Sequence, residues 1–333
     1  MDPITQGAFG AVFAQTQGNT KNLAKAAVIG ALAGMAPDLD ILINSSTDPL
    51  LALEYHRHFT HSLLFIPVGG LICSLVLYPL LGRRFGISFL QTLLWCIIGY
   101  ATHGLLDGCT SYGTQLLWPL SDQRFAWDII SIIDPLVTLP LLALIILAAR
   151  TKARRYTLIA IVWLGFYFGL ATVQYQRALD EGQKLAESRG LKTVSIEAKA
   201  SFANILIWKI VTETKNAFYV DAIKMGWDKP TIWEGDSVAK LSIERDLPWL
   251  DKDSQQRKDI ERFRWFSNGY IALDQENPNR VVDIRYSLLP QQIKALWGIN
   301  LSPTAKSDQH VEFTNERGDG KSAFKQLWEM ILK

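Results

Sequence analysis

An α-helical integral membrane domain followed by a soluble α+β or mainly β domain is the architecture this sequence predicts. Three observations carry that prediction. Residues 62 to about 174 are dominated by long apolar runs with few charges. From residue 175 onward Lys, Glu, Asp, Asn and Gln are abundant and apolar residues alternate with them. Four of the five histidines fall between positions 56 and 103, flanked by aspartates at the ends of apolar runs. At 333 residues the chain has room for two domains, a membrane domain over 1–174 and a soluble one over 175–333.

A membrane-crossing helix needs about 20 mostly apolar residues. Two early segments, Ile4–Gln15 and Ala24–Ala36, are shorter and rich in Gly and Ala. They read either as half-spans or as a tight hairpin packed through small residues. Four full spans follow: Leu63–Gly82, Ile87–Leu106, Ile129–Ala149 despite Asp134-Pro135, and Tyr156–Val173. The N-terminus has no basic region or convincing cleavage site, so it does not read as an ordinary signal peptide.

Basic loops set the expected orientation. Arg83-Arg84 separates the first two full spans, and Arg150, Lys152, Arg154 and Arg155 separate the last two. Both loops are expected in the cytoplasm by the positive-inside rule, and Lys21 and Lys25 fit the same side. Alternation then places the His and Asp clusters and residues 175–333 on the opposite face of a multi-pass bacterial inner-membrane protein.

The soluble half begins with a predicted helix over Gln174–Ser188. Alternation predicts strands at Thr193–Ala198, Ile205–Thr212, Phe218–Ile223, Phe263–Leu273 and Val281–Ser287, and a final amphipathic helix at Ser322–Leu332. The net charge of +2 comes without a basic, aromatic-laced stripe, which argues against a nucleic-acid partner. Membrane lipid is the expected surrounding. Cys73 and Cys96 lie within apolar runs as small buried residues, and Cys109 is a weak ligand candidate. No repeat, phosphate loop, G-x-S-x-G elbow or H-E-x-x-H helix is present.

The chemistry resides in three motifs. His103 and Asp107 are four residues apart and share a helix face. His56 and His61 are five apart, which suits a loop entering a helix capped by Thr60 or Ser62; His58 points elsewhere, and Glu54 is a weaker candidate. Asp38 and Asp40 follow Pro37, which is expected to push Ala36 out of helical geometry and leave both carboxylates on irregular backbone. Alone, the first motif also reads as a histidine bonded to its own i+4 carboxylate, the second as a polar solvated loop and the third as a polar helix terminus at the membrane surface. Together Asp38, Asp40, His56, His61, His103 and Asp107 supply three histidines and three carboxylates at one membrane face, enough for one or two divalent ions. Mixed N/O ligation suits zinc, with manganese or iron as alternatives. Such an ion lowers the pKa of water and polarises a carbonyl or phosphoryl oxygen.

A polar aromatic stretch runs from Ser111 to Asp128 on the same face. Trp118 and Trp127 read as interfacial anchors. Arg124 reads as a clamp for an anionic substrate group, as a headgroup contact, or as a partner of Asp122 or Asp128. Asp134 reads as a group orienting a ligand histidine or as the helix terminus before Pro135.

At these residues the chain resembles the YdjM-like inner-membrane proteins, to which metal-dependent hydrolysis is ascribed. The resemblance covers roughly residues 1–140. It rests on Pro37-Asp38-Leu39-Asp40, on His56-Arg57 through Phe59-Thr60-His61-Ser62, and on Gly99-Tyr100 with His103, Asp107 and Leu117-Trp118-Pro119. It implies that Asp38, Asp40, His56, His61, His103 and Asp107 are the metal-site positions. Similar proteins often carry a histidine in an early T-H pair, whereas here Gln6 follows Thr5. The resulting expectation is a membrane-bound, metal-dependent hydrolase of an ester or phosphoester, with a lipid or lipid-linked substrate at the outer face. The alternative is a non-catalytic, metal-stabilised scaffold whose outer domain binds a partner.

Overall fold

The computed structural model describes residues 1–226, 229–316 and 318–332. They sort into two compact units. The first comprises Met1–Leu42, Tyr55–Val173 and Phe202–Asn204, and the second comprises Ile43–Glu54, Gln174–Ser201 and Ile205–Lys333.

The first unit is helical. Helix α1 (Pro3–Thr16) starts with Asp2 as its cap, whose carboxylate accepts from the Ile4 and Thr5 amides, and with proline in its first turn. It pairs with α2 (Leu23–Met35) as the expected hairpin. A Cβ on Gly30 would lie 2.3 Å from the Gly10 carbonyl oxygen, and one on Gly99 would lie 2.4 Å from the Gly30 carbonyl oxygen. Three helix backbones therefore touch where only hydrogen fits, as small-residue packing in membranes requires. Ala14, Ala26, Ile29, Ala33, Trp95 and Cys96 fill the space around this contact.

A 3₁₀ segment, Ala36–Leu42, continues α2, and the short α3 (Leu51–Tyr55) follows. Ala36 keeps right-handed helical angles (φ −64°, ψ −35°), contrary to the expectation from Pro37. The bias before proline is met by tightening the helix instead of breaking it. The helical run Leu63–Gly82 contains α4 (Ile66–Leu77) and ends in a π turn at Tyr78–Gly82. Helices α5 (Phe89–Gly108), α6 (Pro135–Thr151) and α7 (Arg154–Ser188) complete the unit, α7 running on past its boundary.

Among the described residues, three helices are long and apolar enough to cross a membrane: Leu63–Gly82, Phe89–Gly108 and Arg154–Ser188. The third expected span, Ile129–Ala149, is shorter than predicted. Residues 129–134 are not helical, and Asp134 caps α6 by accepting the Leu136 amide at 3.0 Å, which leaves a helix of 17 residues. Asp134 is thus the helix terminus, and its other oxygen accepts from the Tyr167 hydroxyl at 2.7 Å. The predicted spans Tyr156–Val173 and helix Gln174–Ser188 are one continuous helix. Leu71, Ile72, Leu75 and Val76 on α4, and Leu158, Val162 and Phe166 on α7, are exposed. Apolar surface on this scale suits lipid better than water.

The basic segments gather at one end of this unit. Lys25 donates to the Phe85 carbonyl beside Arg83-Arg84 at 2.6 Å, and Arg154 donates to the Thr16 carbonyl at 2.6 Å. His103 and Asp107 lie near the opposite terminus of α5 from these contacts.

The second unit holds two antiparallel sheets. Strands β1 (Thr193–Ala200), β2 (Ile207–Thr214), β3 (Ala217–Lys224) and β4 (Thr231–Trp233) lie in that order, and β5 (Ser237–Ala239) also pairs with β3. Short α8 (Ile243–Asp246) and α9 (Gln255–Phe266) precede the second sheet. That sheet runs β6 (Ile271–Leu273), β7 (Arg280–Asp283), β8 (Trp297–Asn300) and β9 (Glu312–Asn315), and α10 (Gly320–Leu332) closes the chain. Val211, Phe218, Val220, Tyr270, Val282 and Ile284 share one core. The predicted strand Phe263–Leu273 divides. Asp259, Ile260, Phe263 and Phe266 are buried at helical spacing, and Ser254 caps the helix they form, leaving only Ile271–Leu273 extended.

Residues 43–54 group with this second unit. Arg262 of α9 bonds Asp48 at 2.8 Å and Glu54 at 2.5 Å, and also holds Asp259 at 3.0 Å. His310 completes this cluster through Asp259 at 2.9 Å. Glu54 is therefore engaged with Arg262.

Gly30→Leu should abolish folding of the full chain in detergent, judged by gel filtration. Gly165→Ala should leave it folded and stabilise α7 by up to about 1 kcal/mol, since nothing lies within 4 Å of a Cβ there. Lys209 is buried with its ammonium on Ser287 Oγ at 2.8 Å and the Gln292 carbonyl at 3.0 Å, and burial lowers its pKa to about 7. The unfolded chain then binds the extra proton between about pH 7 and its ordinary 10.5, so this group's contribution to stability rises with pH across that window. Lys209→Met should flatten that rise in thermal unfolding compared at pH 7 and pH 9.5; an unchanged slope would contradict the assignment.

Candidate metal centre

Three local structures deliver the polar side chains. Asp38 and Asp40 leave the 3₁₀ segment Ala36–Leu42 two residues apart, with carboxylate oxygens within 4.8 Å of each other. His61 closes a 3₁₀ turn at Phe59–His61, after which Ser62 caps the next turn by accepting the Phe65 amide at 3.2 Å. Gly104 lets His61 approach α5, because a Cβ there would lie 2.2 Å from the His61 carbonyl oxygen. His103 and Asp107 point from one face of α5, four residues apart.

Asp38, His61, His103 and Asp107 converge, each offering an atom within 4.8 Å of the others. His61 Nε2 lies 2.9 Å from His103 Nε2, 3.6 Å from Asp38 Oδ1 and 3.3 Å from Asp107 Oδ2. His103 Nε2 lies 3.3 Å from Asp38 Oδ1 and 3.7 Å from Asp107 Oδ2. A tetrahedral ion with bonds of about 2.0–2.1 Å spaces its ligand atoms about 3.3 Å apart. Five of the six ligand–ligand distances scatter around that value.

The protonation pattern points the same way. His103 Nδ1 lies 2.6 Å from the Gly34 carbonyl, which can only accept, so Nδ1 carries the proton. Thr60 donates its hydroxyl to Asp40 at 3.0 Å, which leaves its oxygen to accept from His61 Nδ1 at 2.9 Å. Both Nε2 atoms are thereby turned toward each other and toward two carboxylates. His61, His103 and Asp107 have side chains shielded from solvent, and Asp38 alone is partly open, at 24% exposure. Burial works against a charged His61, yet hydrogen bonds with Asp107, Asp38 and Asp40 outweigh it and raise its pKa to about 10. Burial likewise works against a charged Asp38, and hydrogen bonds with His103 and His61 overcome it and depress its pKa. The chamber attracts positive charge, and its donor set could hold a metal ion.

Asp38, Asp40 and His56 form a second, adjoining group. His56 Nδ1 lies 2.8 Å from Asp40 Oδ1, and His56 is 27% exposed. Asp40 Oδ2 accepts from the Arg57 amide at 3.0 Å as well as from Thr60. The six expected positions thus fall into two groups that share Asp38.

Residues not singled out from the sequence complete the chamber. Arg57 is buried, with Nε 3.0 Å from Asp107 Oδ2 and Nη1 donating to Thr110 Oγ1 at 3.0 Å. Its backbone sits at φ 65°, a region costly for a side chain of this size, which turns its amide to Asp40. Gln6, set apart as a departure, donates to Asp107 Oδ1 at 2.8 Å, and the Met1 amino group lies on the same oxygen. The order His56-Arg57 offered a signal for Arg57, whereas nothing local in the sequence linked Gln6 to residue 107. His58 stands apart, its ring packing against Tyr55 and Trp118 at 5.3 Å. Trp118 consequently packs on the His58 and Phe59 rings. Cys109 Sγ bonds the Leu105 carbonyl and is in neither group. Arg124 donates to the Gly113 carbonyl at 2.9 Å and lies 5.6 Å over the Tyr112 ring, whose edge meets His56 at 5.6 Å.

A family model described as YdjM inner membrane protein matches residues 1–178. Over 206 residues, 61% of this chain and 60% of its relative, the sequence is 26% identical to the uncharacterized protein YfhP of Bacillus subtilis. Over 108 residues, 31% of this chain and 60% of its relative, it is 34% identical to the inner membrane protein YbcI of Escherichia coli. The chain therefore spans less than two thirds of either curated relative. No solved structure matches it.

Outer contacts of ligand residues tune metal affinity by about 10–100-fold. Thr60→Val should weaken divalent-ion binding by that order without unfolding the chain, measured by competition with a chelating dye. An unchanged affinity would remove Thr60 from the support of His61.

Proposed function

We propose, for a chain that belongs to the YdjM inner membrane protein family, that it is a membrane-bound, metal-dependent hydrolase acting on an ester or phosphoester at the outer face of the inner membrane. The observation that carries the reading is the convergence of two imidazole Nε2 atoms and two carboxylates, buried except at Asp38, within 4.8 Å of one another. Asp38, His61, His103 and Asp107 would hold the ion, with Asp40 and His56 adjoining. Nitrogen and carboxylate donors without sulfur suit zinc, with manganese or iron as alternatives. When bound, such an ion supplies Lewis acidity and lowers the pKa of water.

The chain's own residues do the rest. Gly34 and Thr60 fix the two imidazole tautomers. Arg57 and Gln6 hold Asp107 in place. Arg124, stacked over Tyr112 beside His56, is positioned to meet an anionic group such as a phosphoester. The basic end of the helical unit supports a cytoplasmic location for that end and an extracytoplasmic one for the centre and for residues 175–333. A lipid or lipid-linked substrate suits a centre at the end of a spanning helix.

Four protein ligands, three of them shut off from solvent, also favour a second reading, a structural ion in a non-catalytic scaffold. Purified wild type should carry stoichiometric metal that His103→Ala and His61→Ala lose. Metal-dependent turnover in a panel of phosphoesters, carboxylic esters and lipids would then select the hydrolase, and bound metal with no turnover would select the scaffold. A reporter that works only in the cytoplasm, fused after residue 333, should be silent; an active one would overturn the orientation.

A further inference from the structure

We infer that the centre takes two divalent ions bridged by Asp38, a buried inner ion and an outer ion that is open to exchange and substrate. The inference rests on the metal-centre reading above and deepens it.

Asp38 belongs to both groups of convergent donors. One oxygen faces the two Nε2 atoms of His61 and His103 at 3.6 and 3.3 Å. The same side chain comes within 4.8 Å of donor atoms on Asp40 and His56. A carboxylate has two oxygens and can serve two ions at once. Two carboxylates brought this close also repel one another unless positive charge sits among them.

A hydrogen bond between His56 and Asp40 alone would explain their 2.8 Å contact. It leaves the approach of Asp38 to both unexplained. Asp40 divides its oxygens accordingly. Oδ2 receives the Arg57 amide and the Thr60 hydroxyl, and Oδ1 is turned to His56.

The groups differ in access. His61, His103 and Asp107 are closed to solvent, whereas His56 is 27% exposed and Asp38 24%. The inner set supplies four protein ligands, as a closed site does. The outer set supplies three and leaves a coordination position for water or for an oxygen of the substrate. Ions sharing a bridging ligand sit about 3.5–4 Å apart, the spacing that lets a pair contact one anionic ester oxygen each. Arg124 reaches the Tyr112 ring whose edge meets His56.

The test uses the full chain in detergent, loaded with Mn²⁺ and freed of excess by gel filtration. Metal content is measured by mass spectrometry and coupling by electron paramagnetic resonance. Wild type should carry two ions per chain with an exchange-coupled signal. His56→Ala, at a partly exposed position, should carry one ion and lose the coupling. Asp38→Asn should lose the outer ion and bind the inner one at least tenfold more weakly. One ion in wild type, unchanged in His56→Ala, would overturn the second ion and leave the first reading standing. Two ions in both proteins would also overturn it, because the second ion would then lie elsewhere. No ion in wild type would overturn both readings.

Discussion

Two buried imidazole Nε2 atoms face each other at 2.9 Å beside two carboxylates, and the arrangement of the helical unit answers to that contact. Carboxylates gathered at such distances call for positive charge among them, which the Arg57 guanidinium and the Met1 amino group supply on the Asp107 side. Each neighbouring feature helps to hold the donors there. Gly34 fixes one ring, and Thr60 fixes the other while binding Asp40. Gly104 admits the backbone of His61 against α5. Arg57 adopts an unfavourable φ so that its amide reaches Asp40 while its guanidinium reaches Asp107.

The scaffold that supports this chamber is built from contacts unavailable to larger residues. Gly10, Gly30 and Gly99 bring α1, α2 and α5 to backbone contact, which places the ends of α2 and α5 within reach of each other. Asp38 leaves the first of those ends and Asp107 the second. Small-residue packing low in the unit thus determines which carboxylates meet at its end. In the second unit, Arg262 gathers Asp48, Glu54 and Asp259, so the segment that separates Asp40 from His56 in sequence is tied to α9 by paired charges.

Much of this was legible in the sequence because its signals are local. Apolar runs located the spans, and the i,i+4 pair on α5 announced a shared face for His103 and Asp107. The alternating pattern located β1, β2 and β3 to within about two residues. The misreadings have physical causes. Asp134 takes the helix start that hydropathy alone would place at Ile129. Phe263 belongs to a helical period that a run of aromatic residues disguises as a strand. The roles of Gln6 and Gly104 depend on partners 101 residues away and across a helix contact, which no local pattern encodes. The division of the six candidate positions into two groups sharing Asp38 likewise emerges only from the folded positions of the 3₁₀ segment, the His61 turn and α5.

X-ray absorption spectroscopy on the metal-loaded full chain tests the central claim most directly. Imidazole and carboxylate donors at about 2.0–2.2 Å, with multiple-scattering features of two or more histidines and no sulfur, are the predicted first shell. A sulfur scatterer at about 2.3 Å, which would bring in Cys109, or the spectrum of a fully hydrated ion, would contradict it.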